Sequence, residues 1–90
     1  MSKINYEKNS QILKALAHPI RLQMVDVLLD DKCCVTDLVN MLGISQSTSS
    51  QHLTILKNGG VVYPEKHGTK TCYVVHSELT KEIIAFLKKG

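Results

Sequence analysis

The chain has 90 residues, 43% of them hydrophobic and 21% charged, with a formal net charge of +3 and a pI near 8.8. That composition fits one ordinary globular domain over residues 1–90 and excludes a disordered tail, while a core this small gains from a two-fold partner. The mild basic bias permits a nucleic-acid partner without establishing one, and no apolar run nears the roughly 20 residues of a membrane span.

Between Asn5 and Ala17 the residues Ile12, Leu13, Leu16 and Ala17 recur at helical spacing, with Glu7, Lys8, Gln11 and Lys14 on the polar side. This predicts an amphipathic first helix whose work is packing. Met1 to Gln11 lack the apolar stretch of a secretory signal, so a cytoplasmic protein without membrane contact is expected. His18-Pro19 separates the first helix from a second over about Pro19 to Leu29, because proline disfavours helix before it and suits the first helical position after it. Ile20, Met24, Val25, Leu28 and Leu29 form the apolar side of that helix, and Asp30 to Lys32 close it. Val35, Leu38, Val39 and Leu42 predict a short third helix, with Gly43 as a left-handed cap. Ser45 is placed to accept a bond from a first-turn amide of a fourth helix, and helix, glycine turn, helix is helix-turn-helix geometry.

The fourth helix opens on "SQSTSSQH", eight residues that offer little to a core and are mostly mediocre helix formers. "LTILKNGG" follows, with Leu53, Ile55 and Leu56 as the expected buried anchor and Gly59-Gly60 as the stop. "VVYPEKHGTKTCYVV" predicts a β-hairpin turning around His67 and Gly68, with Pro64 on an edge strand. Two strands alone are marginal and must lean on the helices. Ser77 caps a last helix that carries Glu78 in its first turn, Lys88 and Lys89 in its last, and Leu79, Ile83, Ile84, Phe86 and Leu87 as a wide apolar stripe. The first and last helices together are the expected homodimer surface.

The order ααααββα with a polar fourth helix is a mainly α, winged helix-turn-helix architecture. In "LKALAHPIRLQMVDVLL", "VTDLVNMLGISQSTSSQHLTILKNGGVV" and "KHGTKTCYVV" the chain resembles the ArsR/SmtB family of bacterial transcriptional repressors over essentially its whole length. The resemblance implies a dimeric repressor that occludes a roughly palindromic double-stranded DNA operator. Helix-turn-helix physics gives the same expectation: a reading helix sets its N-terminal residues against base edges in the major groove. Gln46 and Gln51 can pair adenine bidentately, while Ser45, Ser47, Thr48 and Ser50 can serve base or phosphate. For His52 the resemblance implies a DNA-side role, with packing at a helix seam as the alternative. Lys57, Lys66, His67 and Lys70 are expected to meet phosphate. The rival reading is a winged-helix module that binds only protein.

Some positions depart from the family pattern. Ser49 stands where valine is common, facing the core, and is expected to bond back to a preceding carbonyl. Glu65 and Lys66 replace a basic pair in the wing, and Thr69 stands where arginine is common, which weakens its expected phosphate affinity. His18 and Arg21 match the family's "HPxR" stretch, where the arginine is expected to buttress the reading unit.

Three cysteines, an odd number without CxxC spacing, argue against a disulfide framework or a structural zinc site, so reduced thiols are expected. Family members that sense thiophilic metals carry Cys-x-Cys at the start of the third helix. Cys34 aligns with the first cysteine, but Thr36 takes the second position and is no soft ligand. A bond between Cys33 and Cys34 is disfavoured because adjacent Cα atoms lie about 3.8 Å apart, which leaves Cys72 as partner for either. Packing, a thiol switch at Cys34 answering oxidant or sulfur species, and a soft-metal inducer all stay open. No nucleophile, base and orienter assemble by motif and no phosphate loop appears, so no catalytic residue, resident metal or cofactor is expected.

Overall fold

The computed structural model describes residues 3–30 and 34–90. The expectations for Cys33, and for Asp31 and Lys32 as the end of the second helix, lie outside the described residues.

Asn5 opens α1 (Tyr6–Leu16), its side-chain oxygen accepting the Lys8 amide at 3.0 Å and so pairing one of the donors a helix start leaves free. Pro19 begins α2 (Pro19–Asp30), and the His18 ring caps it through Nδ1, which accepts the Ile20 amide at 3.1 Å. Cys34 stands at the start of α3 (Val35–Leu42), where the Asp37 carboxylate accepts its amide at 3.3 Å, and Gly43 ends that helix with φ 65°. Ser45 caps α4 (Gln46–Asn58) by accepting the Thr48 amide at 3.0 Å. The end of α4 is a Schellman motif. Gly60, at φ 81°, donates to the Lys57 carbonyl, and Val61 donates to that of Leu56. Val61 and Leu56 are both fully buried, so their apolar contact locks the exit of α4 into the core.

β1 (Val62–His67) and β2 (Lys70–Val75) pair antiparallel in a two-stranded sheet, from Val62 opposite Val75 to His67 opposite Lys70. Ser77 then caps α5 (Glu78–Lys89) by accepting the Thr80 amide at 3.1 Å. The order is therefore ααααββα, mainly helical with a small wing. Its core gathers Leu16 from α1, Met24 and Val25 from α2, Leu38 from α3, Leu53 and Leu56 from α4, Val62 and Val75 from the wing root and Ile84 from α5. The two strands thus lean on the helices, as a lone hairpin must. Lys88 ties α5 back to α2 through Asp26 at 2.8 Å and Asp30 at 3.7 Å.

Three expectations need correction. On α1 it is Ala15 that is buried, while Leu13 is 52% exposed and Ala17 is also outside; the helix turns its core face about one residue away from the expected stripe. On α4, Ile55 is 43% exposed, because Ser49, Leu53 and Leu56 already fill the inner face and Ile55 projects away from them. Ser49 is fully buried, yet its hydroxyl has no hydrogen-bond partner, so the back-bond to a preceding carbonyl does not form. An unpaired buried hydroxyl costs about 1–3 kcal/mol. Leu53 and Leu56, each worth about 1.5–3 kcal/mol when fully buried, outweigh it and keep α4 seated.

Candidate nucleic-acid interface

At 100° of rotation per residue, Ser47, Gln51 and Thr54 stand opposite Ser49, Leu53 and Leu56 on α4, Ser50 flanks them, and Gln46, seven residues before Leu53, is kept out of the core by its place at the start of the helix. All five outer residues are exposed. The helix is therefore anchored by its C-terminal half and presents its polar N-terminal half outward, the division a groove-reading helix needs. Ser45 and Thr48 are partly committed to one another. The Ser45 hydroxyl accepts the Thr48 amide and donates to Thr48 Oγ1 at 2.9 Å, which leaves the Thr48 hydroxyl proton as a donor for an outside partner. Thr54 was not among the sequence candidates. It shares the outer face but donates its hydroxyl to the Ser50 carbonyl at 2.9 Å, and its place is recoverable from the i, i+4 relation to Ser50.

His52 lies elsewhere. It is half-buried on the inner flank of α4, its ring centroid 4.6 Å from that of His18, with the Arg21 guanidinium 3.3 Å from its Nδ1. Burial first, then the neighbouring His18 and Arg21, hold its pKa below the ordinary imidazole value. Arg21 also donates through Nε to the Ala15 carbonyl at the end of α1. Arg21 thus ties the end of α1 to α4, and His52 packs at the seam between the helices.

Lys57 is exposed at the last turn of α4. In the wing, Lys66, His67 and Lys70 are exposed around the turn at Gly68 and Thr69. Cross-strand pairing puts His67 and Lys70 on one face and Lys66 on the other, so the three do not form a single basic stripe. Glu65 sits 3.4 Å from His67 Nε2 and draws charge from that face. Among the described residues no hydrogen bond or ion pair links the wing tip to α4.

Cys34 and Cys72 meet. An isolated antiparallel bridge sets the start of α3 beside β2, with Cα atoms 4.1 Å apart and the sulfurs joined as a disulfide. The wing folds back along α3 and sets Cys72 against Cys34, a meeting across 38 residues of sequence that no local pattern announces. No group of three His, Cys, Asp or Glu side chains converges among the described residues. No helix among them is long and apolar enough to cross a membrane.

Residues 18–63 match the family model for bacterial regulatory proteins of the arsR family. The chain belongs to the arsR family. Its match runs from the His18 junction through the reading helix to the first wing strand, the segment that holds the outer face of α4 and the joint behind it. Among solved structures, HlyU from Vibrio cholerae superposes with a TM-score of 0.88 at 35% identity, covering 98% of this chain and 96% of that one. The transcriptional repressor PagR of Bacillus anthracis gives 0.85 at 32% identity over 91% and 94%. A homodimeric winged helix-turn-helix DNA-binding domain from Mycobacterium bovis gives 0.84 at 29% over 92% and 77%. HlyU is named a transcriptional activator and PagR a repressor. As an arsR-family chain with this fold, the protein is a transcriptional regulator, and its relatives are regulators rather than enzymes.

Proposed function

We propose that the protein is a homodimeric repressor that binds a roughly palindromic operator in the cytoplasm and blocks transcription by occupying it. The observation that carries this reading is the outer face of α4, where Gln46, Ser47, Ser50 and Gln51 stand exposed on a helix anchored by Leu53 and Leu56. Exposed Leu13 on α1 and Phe86 and Leu87 on α5 leave apolar surface that a second copy can cover. Two reading helices related by a two-fold axis call for half-sites about one helical turn, or a multiple of it, apart. Lys57, Lys66, His67 and Lys70 are assigned to phosphate. The test is binding to the DNA upstream of the protein's own gene over a salt series. Salt-dependent, saturable binding is expected, and replacing Lys57 and Lys70 together lowers the log–log slope by about 0.9 for each phosphate that no longer meets a lysine. Binding indifferent to salt, or absent, contradicts the reading.

The adjacency of Cys34 and Cys72 supports a thiol-responsive form of the same repressor. A hydroperoxide takes two electrons from the two thiols, the S–S bond forms, and the peroxide leaves as water and alcohol. Oxidation fixes the wing to the start of α3, and the expected result is a loss of operator affinity of about tenfold or more, within the usual span of coupling between sites. A sulfane-sulfur donor is expected to act through the same thiols, and Cys33 stays a candidate on its sequence position alone. Operator binding before and after peroxide checks this: a Cys34→Ser protein should not respond, and an equal loss in that variant counts against the switch.

A further inference from the structure

The contacts behind the reading helix constrain where protons sit. The Ile20 amide points at His18 Nδ1 from 3.1 Å, and the Arg21 guanidinium points at His52 Nδ1 from 3.3 Å. Amide and guanidinium groups can only donate, so each Nδ1 must present a lone pair. In this geometry the His52 imidazole is neutral and carries its proton on Nε2. Adding a proton to His52 Nδ1 sets N–H against N–H and places a second positive charge beside the permanent one on Arg21. The rings lie 4.6 Å apart, so a charge on one also opposes a charge on the other. The elements around α4 offer no relief. The α1–α2 junction faces His52 with His18, α2 faces it with Arg21, and α1 contributes the neutral Ala15 carbonyl that holds Arg21. No charge on α1, α3 or β1 bears on His52.

His52 directly follows Gln51, and its joint with Arg21 and His18 ties the middle of α4 to the junction of α1 and α2. We propose that Arg21 and His18 are positioning residues for the reading helix and that their joint with His52 makes operator binding proton-sensitive. The joint sets the angle of α4 only while the His52 imidazole is neutral, and acidification loosens it and releases DNA. This rests on the operator-binding reading above. The sign follows from linkage. A histidine excluded from protonation in the bound state keeps its full effect above its pKa in the DNA-free protein, which for His52 lies below the ordinary imidazole value, and the effect is lost as pH falls through that lowered value, by up to about tenfold in affinity per pH unit for one excluded proton. Simple charge attraction between protonated histidines and phosphate gives the opposite trend, so the direction alone discriminates.

Two measurements decide it, both on the full chain at fixed salt and fixed thiol state. Imidazole nitrogen NMR of the DNA-free protein at pH 7.5 should show His18 and His52 as Nε2–H tautomers. His52 should titrate below 6.5, and an Nδ1–H tautomer or a titration at or above 6.5 overturns the joint. Affinity for a duplex recovered by in vitro selection, followed from pH 8 to 5.5, should fall on acidification. His18→Asn keeps an acceptor for the Ile20 amide but removes the ring packed against His52; it should bind more weakly than the parent at pH 7.5 and fall less on acidification. Arg21→Lys, which keeps the charge but not the fork that spans Ala15 and His52, should bind more weakly throughout. Affinity that is flat or rising on acidification, or a His18→Asn protein that binds and responds to acid as the parent does, overturns the proposal. A protein that binds no duplex at pH 7.5 counts against the operator reading, and the NMR result then decides the joint by itself.

Discussion

Replacing Gln46 and Gln51 together by alanine is expected to reduce affinity for a selected operator by far more than affinity for a scrambled duplex. Each bidentate amide–adenine pair is worth about 1–3 kcal/mol of discrimination, roughly 5- to 150-fold, so losing both brings specific binding toward the non-specific level. Both side chains are exposed on α4 and leave the core untouched, so melting temperature should stay within experimental scatter. Fluorescence anisotropy on the two duplexes checks this, and equal losses on both would assign the glutamines to phosphate rather than to bases.

The second large effect is structural. A Cβ at Gly59 would stand 2.6 Å from the Ala15 Cβ and 3.3 Å from the Gln11 and Ile55 carbonyl oxygens. Neither Ala15 nor the carbonyls can rotate away, so Gly59→Val must push α1 off the end of α4. Overpacking of this kind costs about 1–3 kcal/mol, and each kcal/mol lowers Tm by about 4–8 °C in a chain of this size. The cause is the close approach and not the backbone, since φ at Gly59 is −80°. Pairing Gly59→Ala with Ala15→Gly should therefore recover more stability than the two single changes predict together, a coupling that a thermal double-mutant cycle measures. Additive losses would contradict the steric account.

Much of this was readable from local pattern. Ser45, Ser77, Gly43 and the hairpin turn are short-range devices, settled by a few neighbouring residues, and each appears where its chemistry predicts. The polar face of α4 was legible for the same reason, because eight residues that cannot build a core must face something else. What stayed hidden was tertiary. Ile55 and Leu13 carry apolar side chains, yet helix rotation against neighbours turned them outward and brought Ala15 in. His52 has the same composition on either flank of α4, and only the arrival of His18 and Arg21 makes it a joint. The meeting of Cys34 with Cys72 depends on how far the wing folds back along α3, which neither cysteine's neighbours encode. Ser49 is the clearest conflict between levels, a hydroxyl in a valine's place that the core buries without a partner.

The central claim is that the outer face of α4 reads base edges in the major groove. Substituting 7-deazaadenine for adenine in a selected operator removes the N7 acceptor there while leaving pairing and the minor groove intact. The expected result is a loss of affinity of about 1–3 kcal/mol for each adenine read, confined to one or two positions per half-site and absent when the Gln46/Gln51 double alanine variant is used. Full affinity of the parent protein for an operator carrying 7-deazaadenine at every adenine would contradict adenine readout by these glutamines.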